Sequence, residues 1–194
     1  MVPGPNLSEL QTDALREVAN IGSGNAVTAL SSKLSGRLIL SQPPRSRMAV
    51  PGVLADLAGA GDDLLSIASF SLAGGVTGDL LCIFQAPFAD ELLGSTDGES
   101  SETAAIVGSA YVDGVAAFTH LSITSELRKV ERGRAADLDV GWWGRPGVER
   151  TGLILATQFM GDPRQDRPEL SGSLVFAPSL SGVAALLAAL HLSA

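Results

Sequence analysis

The stretch TDALREVANIGSGNA, Thr12 to Ala26, decides how this chain is read. Leu7, Leu10, Ala14, Val18 and Ile21 recur at three- and four-residue steps, the spacing of one face of a helix. Ala26, Val27, Leu30 and Leu34 prolong the pattern, and Gly36 is the expected stop. Two features are awkward for such a helix. Gly22 and Gly24 lie inside it, each at a cost of roughly 1 kcal/mol relative to alanine. Asp13, Glu17 and Asn20 fall at i, i+4 and i+7 and form one ridge, about a quarter turn from the middle of the apolar stripe. A mid-helix asparagine is itself unusual, because its side chain competes for backbone hydrogen bonds. A solvated helix face and a functional ridge both fit this pattern.

Outward from that helix the chain alternates strand and helix signals. RLILS reads as a strand broken by Pro43 and Pro44, and GVLADLAG as a short helix. Two strands follow, joined at Gly74-Gly75, and PFADELLG reads as another short helix. A second long helix is expected over Glu99 to His120. LSITSELRKVER reads as a strand with one solvated side, TGLILATQFMG and ELSGSLVFAP as two more, and SLSGVAALLAALH as a closing helix. Ala135 to Glu149, with Trp142 and Trp143, is the least regular region; the tryptophans suit either a contact patch or an anchor in the core.

The order then repeats. EVANIGSGNA from Glu17 can be laid on ETAAIVGSAY from Glu102, and GDLLCIF on GSLVFAP. The expectation is a single domain over 1–194 made of two weak repeats, approximately 7–95 and 99–193. The fold class is α+β, with pseudo-two-fold symmetry and two long helices packed on a mainly antiparallel sheet. In that arrangement the small patches Gly22-Ser23-Gly24 and Gly108-Ser109-Ala110 let the helices approach closely; a kink at Gly22 or Gly24 is the alternative.

The 194 residues carry a formal charge of −8, which argues against nucleic acid or an anionic membrane as the main partner. Cys82, the single cysteine, lies in an apolar run and reads as a buried thiol in a reducing cytoplasm. The N-terminus lacks the pattern of a secretory signal, and the longest apolar segment is too short to span a bilayer, so a cytoplasmic protein is expected. His120 and His191 are the only histidines, and neither HExxH nor a close His/Asp cluster is present. GSGNA lacks the lysine and spacing of a P-loop, and there is no GxSxG elbow.

DALREVANIGSGNAVTAL closely resembles the opening helix of the CheC/CheX/FliY family of chemotaxis phosphatases. That family's signature is Asp or Ser, three residues, Glu, two residues, Asn, and a Pro about 22 residues on. Asp13, Glu17, Asn20 and Pro43 fit it, with 22 residues between Asn20 and Pro43. The hairpin LAGGVTGDLLCIF and the internal repeat agree with the resemblance, which extends over essentially the whole chain.

The resemblance implies hydrolysis of the aspartyl phosphate of a response regulator such as phospho-CheY. The receiver brings its own Mg2+ and lysine, so no cofactor is expected on this chain. What is missing is a positioned water, and a carboxamide can hold one with its acceptor and its donors. Asn20 would aim that water and Glu17 would pair with the receiver lysine. Asp13 would support Asn20, contact the receiver, or be a plain surface acid, and Pro43 would shape the loop beside the helix. At the repeated site Glu102 matches Glu17, but Ala105 stands at the asparagine position and Gly98 four before Glu102. One working site is therefore expected, with Glu102 a remnant or an N-terminal helix acid favoured by the dipole. Relatives of this fold also serve in the flagellar switch, and CheC binds the receptor deamidase CheD, so a non-catalytic adaptor binding a receiver or CheD is the rival reading.

Overall fold

The computed structural model describes residues 6–35, 39–48, 53–58, 64–85, 97–134, 137–138, 152–162 and 171–192. Helix α1 spans Glu9–Lys33 without interruption. Ser8 caps it: its Oγ accepts from the Gln11 amide at 3.2 Å, and the Ser8 amide donates to Gln11 Oε1 at 2.9 Å. This reciprocal box satisfies two donors that a helix start otherwise leaves unpaired. Leu15, Val18, Ala19, Gly22, Ser23, Ala26, Val27 and Leu30 are buried, a stripe at the expected spacing. Leu10 departs from the expected stripe and is 65% exposed.

Strands β1 (Ile39–Ser41) and β2 (Arg45–Met48) are followed by α2 (Val53–Ala58), β3 (Leu64–Gly74) and β4 (Gly78–Gln85). Helix α3 (Asp97–Thr119), β5 (Ile123–Arg134), β6 (Leu153–Gly161), β7 (Ser171–Pro178) and α4 (Leu180–Ala189) complete the described elements. The short helix expected over PFADELLG, Gly36 and the Trp142-Trp143 pair lie outside the described residues.

The sheet runs β1-β6-β7-β4-β3-β5, with β2 also paired to β6, and every pairing is antiparallel. β2 was not anticipated, because RSRM carries no apolar alternation. It continues the edge begun by β1: the Gln42 amide donates to the Gln158 carbonyl at 2.8 Å, then the register moves by one residue across Pro43-Pro44. Proline offers no ladder donor, and a sheet edge is where that is tolerated.

Three helices, α1, α3 and α4, cover one face of the sheet, and α2 packs on the other. Leu15, Leu30, Phe70, Phe84, Tyr111, Phe159 and Phe176 belong to the larger core. Val53 and Leu57 meet Leu65, Ile67, Leu81, Ile83, Ile154 and Val175 in the smaller one. The strand order is symmetric about the central β4–β7 pair. Outward from it come β3 on one side and β6 on the other, each half's hairpin. Each hairpin is then flanked by an edge strand from the opposite half, β5 or β1.

The two long helices follow the same exchange. α1 meets β6, where Ser23 Oγ donates to Thr157 Oγ1 at 2.8 Å in a buried contact. α3 meets β3, where a Cβ on Gly108 would lie 2.4 Å from the Phe70 ring. Laying the two halves on one another places Ser23 on Gly108 and Phe70 on Thr157, so these contacts occupy equivalent positions filled by different chemistry.

Candidate functional site

The ridge of α1 is solvent-facing at Asp13, Glu17 and Asn20, as its helical spacing dictates. Asn20 Nδ2 donates to Glu17 Oε2 at 3.4 Å, a long contact that holds the two side chains side by side. Among the described residues no other side chain or backbone group is hydrogen-bonded to the Asn20 carboxamide. Its carbonyl oxygen and second N–H thus face solvent, the donor and acceptor pair a water requires.

Asp13 is placed differently from its two neighbours. Its Oδ1 accepts from Arg16 Nη1 at 2.8 Å, and Arg16 Nη2 donates onward to Ser46 Oγ at 2.9 Å. Ser46 belongs to β2, so Asp13 and Arg16 tie the ridge to the sheet edge. Arg16 was not singled out from the sequence; its i, i+3 placement after Asp13 was the available signal.

Pro43 is exposed at the break between β1 and β2. It lines a shallow surface depression with Gln42, Arg45, Arg47, Leu57, Ala156 and Gln158, none of them a residue of the ridge. The edge strand breaks at Pro43-Pro44, and β2 beyond it carries Ser46 to Arg16.

The repeated site holds no amide. Ala105 is half-buried, and Glu102 is exposed and ion-paired with Lys33 of α1 at 3.6 Å. Because α3 begins at Asp97, Glu102 lies beyond the first turn, which removes the helix-dipole account of it.

The glycine patches also divide. A Cβ on Gly22 would lie 2.8 Å from the Tyr111 ring and 2.9 Å from Val115 Cγ2, so close helix approach does require that glycine. A Cβ on Gly24 would meet nothing within 4 Å, and Ser109 is likewise exposed, so the packing role expected for these two does not hold. α1 shows no break at either glycine.

Cys82 is buried, and burial pushes its thiol up to about 12. Burial also raises the Tyr111 phenol; the nearby Cys82 adds to the rise, and a hydrogen bond with Ser23 opposes it. Among the described residues no group of three His, Cys, Asp or Glu is placed to hold a metal ion. No helix among them is long and apolar enough to cross a membrane.

Residues 10–45, which hold the whole ridge and Pro43, match the model of the CheC-like family. The likeness of fold extends over nearly the whole chain. FliY of Thermotoga maritima superposes with a TM-score of 0.66 at 17% identity, covering 96% of this chain and 98% of that one. The FliM middle domain of H. pylori gives 0.62 at 13% identity, covering 94% and 99%. A chain of the FliG–FliM complex of H. pylori gives 0.60 at 12% identity, covering 94% and 100%. At these identities the likeness is one of fold. No curated protein matches the chain.

Proposed function

We propose that this CheC-like chain hydrolyses the aspartyl phosphate of a CheY-like response regulator in the cytoplasm. The observation that carries the reading is the exposed Glu17–Asn20 pair on a rigid helix, with the amide's carbonyl and one N–H unengaged. Asn20 Oδ1 accepts a hydrogen bond from a water and orients its lone pair toward phosphorus, in line with the aspartyl oxygen. The new P–O bond forms to the water oxygen as the P–O bond to the aspartate breaks. Orthophosphate and a free carboxylate are released, and the water's proton passes to phosphate or solvent. The amide is neutral and takes no proton. Mg2+ belongs to the receiver and neutralises the charge spread over the phosphoryl oxygens.

Glu17 pairs with the receiver's lysine. Such a pair contributes about 0–1 kcal/mol when exposed and several times that when the interface excludes water. Asp13 acts through Arg16 to hold the ridge against β2 and is not itself a contact with the phosphate. The second ridge, with Glu102 and Ala105, is silent. We read 7–95 and 99–193 as copies of one ancestral unit, the second having lost its amide.

The test is phosphate release from phosphorylated receivers of the same organism, with and without this protein. Asn20→Ala should lower the acceleration by about 10²-fold, the scale of losing a positioned reactant, with an unchanged melting temperature. Equal acceleration by wild type and Asn20→Ala would show the site assignment to be wrong.

The fold likeness to FliM favours one second reading, a docking module without turnover, with a receiver or CheD as partner; the similar FliM structures include complexes of that protein with FliG and with SpeE. Receiver binding that leaves the phosphate lifetime unchanged would select it.

A further inference from the structure

The exposed ridge of α1 runs through Leu10, Asp13, Glu17, Asn20, Gly24 and Thr28 at three- and four-residue steps. Gly24 is thus the next position on the ridge after Asn20. Its missing side chain has no use inside the molecule, since a Cβ would find open space, whereas Gly22 two residues earlier is closed in by Tyr111 and Val115. Gly24 sits in unbroken α-helix, and it is not among the glycines with positive φ. Neither packing nor backbone conformation accounts for a residue that disfavours the helix carrying it.

Side-chain direction supplies an account. In an α-helix each side chain leans toward the N-terminus and covers the turn before its own Cα. Asn20 obeys this rule, reaching back to Glu17. A side chain at position 24 would reach back over Asn20 in the same way. It would cover the carboxamide and stand in the path of anything brought against it.

We propose that Gly24 is a positioning residue: its bare backbone keeps the space over Asn20 open, so that the loops around the receiver's phosphoaspartate can seat directly on α1. This rests on the phosphatase reading above. The occupant is that receiver, whose lysine and bound Mg2+ complement the acidic Glu17 beside the opening. The ridge brings one amide and one water to the phosphorus, and that short reach leaves no room for an intervening side chain.

The experiment uses the full chain and the receiver whose dephosphorylation the wild type accelerates. Gly24→Ala and Gly24→Gln are compared with Asn20→Ala and with Ser109→Gln, a control at the equivalent exposed position of α3. Both Gly24 variants should raise the melting temperature by about 1–3 °C, because a better helix former replaces glycine without a clash. The same variants should lower kcat/KM, by about tenfold for alanine and about a hundredfold for glutamine, the scale of a misplacement near 1 Å. The loss should appear in KM and in binding to the beryllofluoride-loaded receiver. Ser109→Gln should leave turnover unchanged.

Stabilisation together with lost activity supports the inference, because a purely structural role would move both in one direction. Wild-type kcat/KM in Gly24→Gln, alongside a slow Asn20→Ala, overturns the inference and leaves the phosphatase reading standing. Equal acceleration by wild type and Asn20→Ala overturns both.

Discussion

Replacing Gly108 with alanine sets two known effects against each other in the centre of the molecule. Helix propensity alone favours the change by about 1 kcal/mol, since glycine is a poor interior helix residue. Packing opposes it. A Cβ at this position would stand 2.4, 2.6 and 2.8 Å from three carbons of the Phe70 ring, closer than real Cβ contacts. Phe70 is 2% exposed and sits in the main core on β3, so its ring has no free volume into which to retreat. Overpacking of this kind costs about 1–3 kcal/mol and occasionally more. The closeness of three contacts places this site toward the upper end, for a net loss of about 1–2 kcal/mol after the propensity gain. Urea unfolding followed by circular dichroism would read this as a midpoint lower by roughly 0.5 M with an unchanged slope. Thermal unfolding would show a fall of about 2–8 °C for a chain of this size. Phe70→Leu should relieve part of the clash, so the double variant should be more stable than the sum of the singles predicts. A midpoint that rises in Gly108→Ala would refute the reasoning, since propensity would then have won and α3 would not be pinned to β3 at this glycine.

The Ser23–Thr157 bond gives a second prediction. Ser23→Ala should cost about 1–3 kcal/mol by taking a partner from the buried Thr157 hydroxyl and Tyr111 phenol, Thr157→Val should cost less because Ser23 keeps the phenol, and the double variant should cost less than the sum of the two, measured by a double-mutant cycle in urea. Cys82 gives a third. Its folded value of about 12 lies above the ordinary 9.0, so the neutral buried thiol contributes its full stability below pH 9 and loses it as pH rises toward 12. Unfolding free energy should fall above pH 9, Cys82→Ala should flatten the onset of that fall, and alkylating reagents at pH 8 should label the thiol only after unfolding. The raised Tyr111 phenol adds a loss of the same sign, so the cysteine variant should retain part of the alkaline decline.

Local chemistry made much of this molecule legible in advance. The apolar steps from Leu15 to Leu30 define α1, and the same periodicity carries Asp13, Glu17 and Asn20 onto one exposed ridge. The hairpin of β3 and β4 was visible as two β-rich runs around Gly74, which adopts a positive φ of 92°. What stayed hidden depends on partners far along the chain. RSRM is a strand because β6 offers a ladder, not because of its own alternation. Ser23 meets Thr157, 134 positions away, and nothing near either residue announces the other. Gly22 and Gly24 look alike in sequence; only the position of Tyr111 makes one a packing requirement and leaves the other open. Leu10 counted toward the apolar stripe but falls on the exposed ridge with Asp13 and Glu17, while Leu7 before it packs against the core.

The exchange of edge strands and helices between the halves bears on how this chain can be divided. The first half's edge strands lie against the second half's hairpin, and β5 of the second half lies against the first half's hairpin. Neither half closes its own sheet or roofs its own core. Cutting the chain between β4 and α3 would therefore give two fragments that acquire order together, by complementation, and not two independent miniatures. Divergence is constrained in the same way. The half with Ala105 carries no amide on its ridge, yet it cannot drift as a shape, because it is the mould on which the Asn20 helix sets.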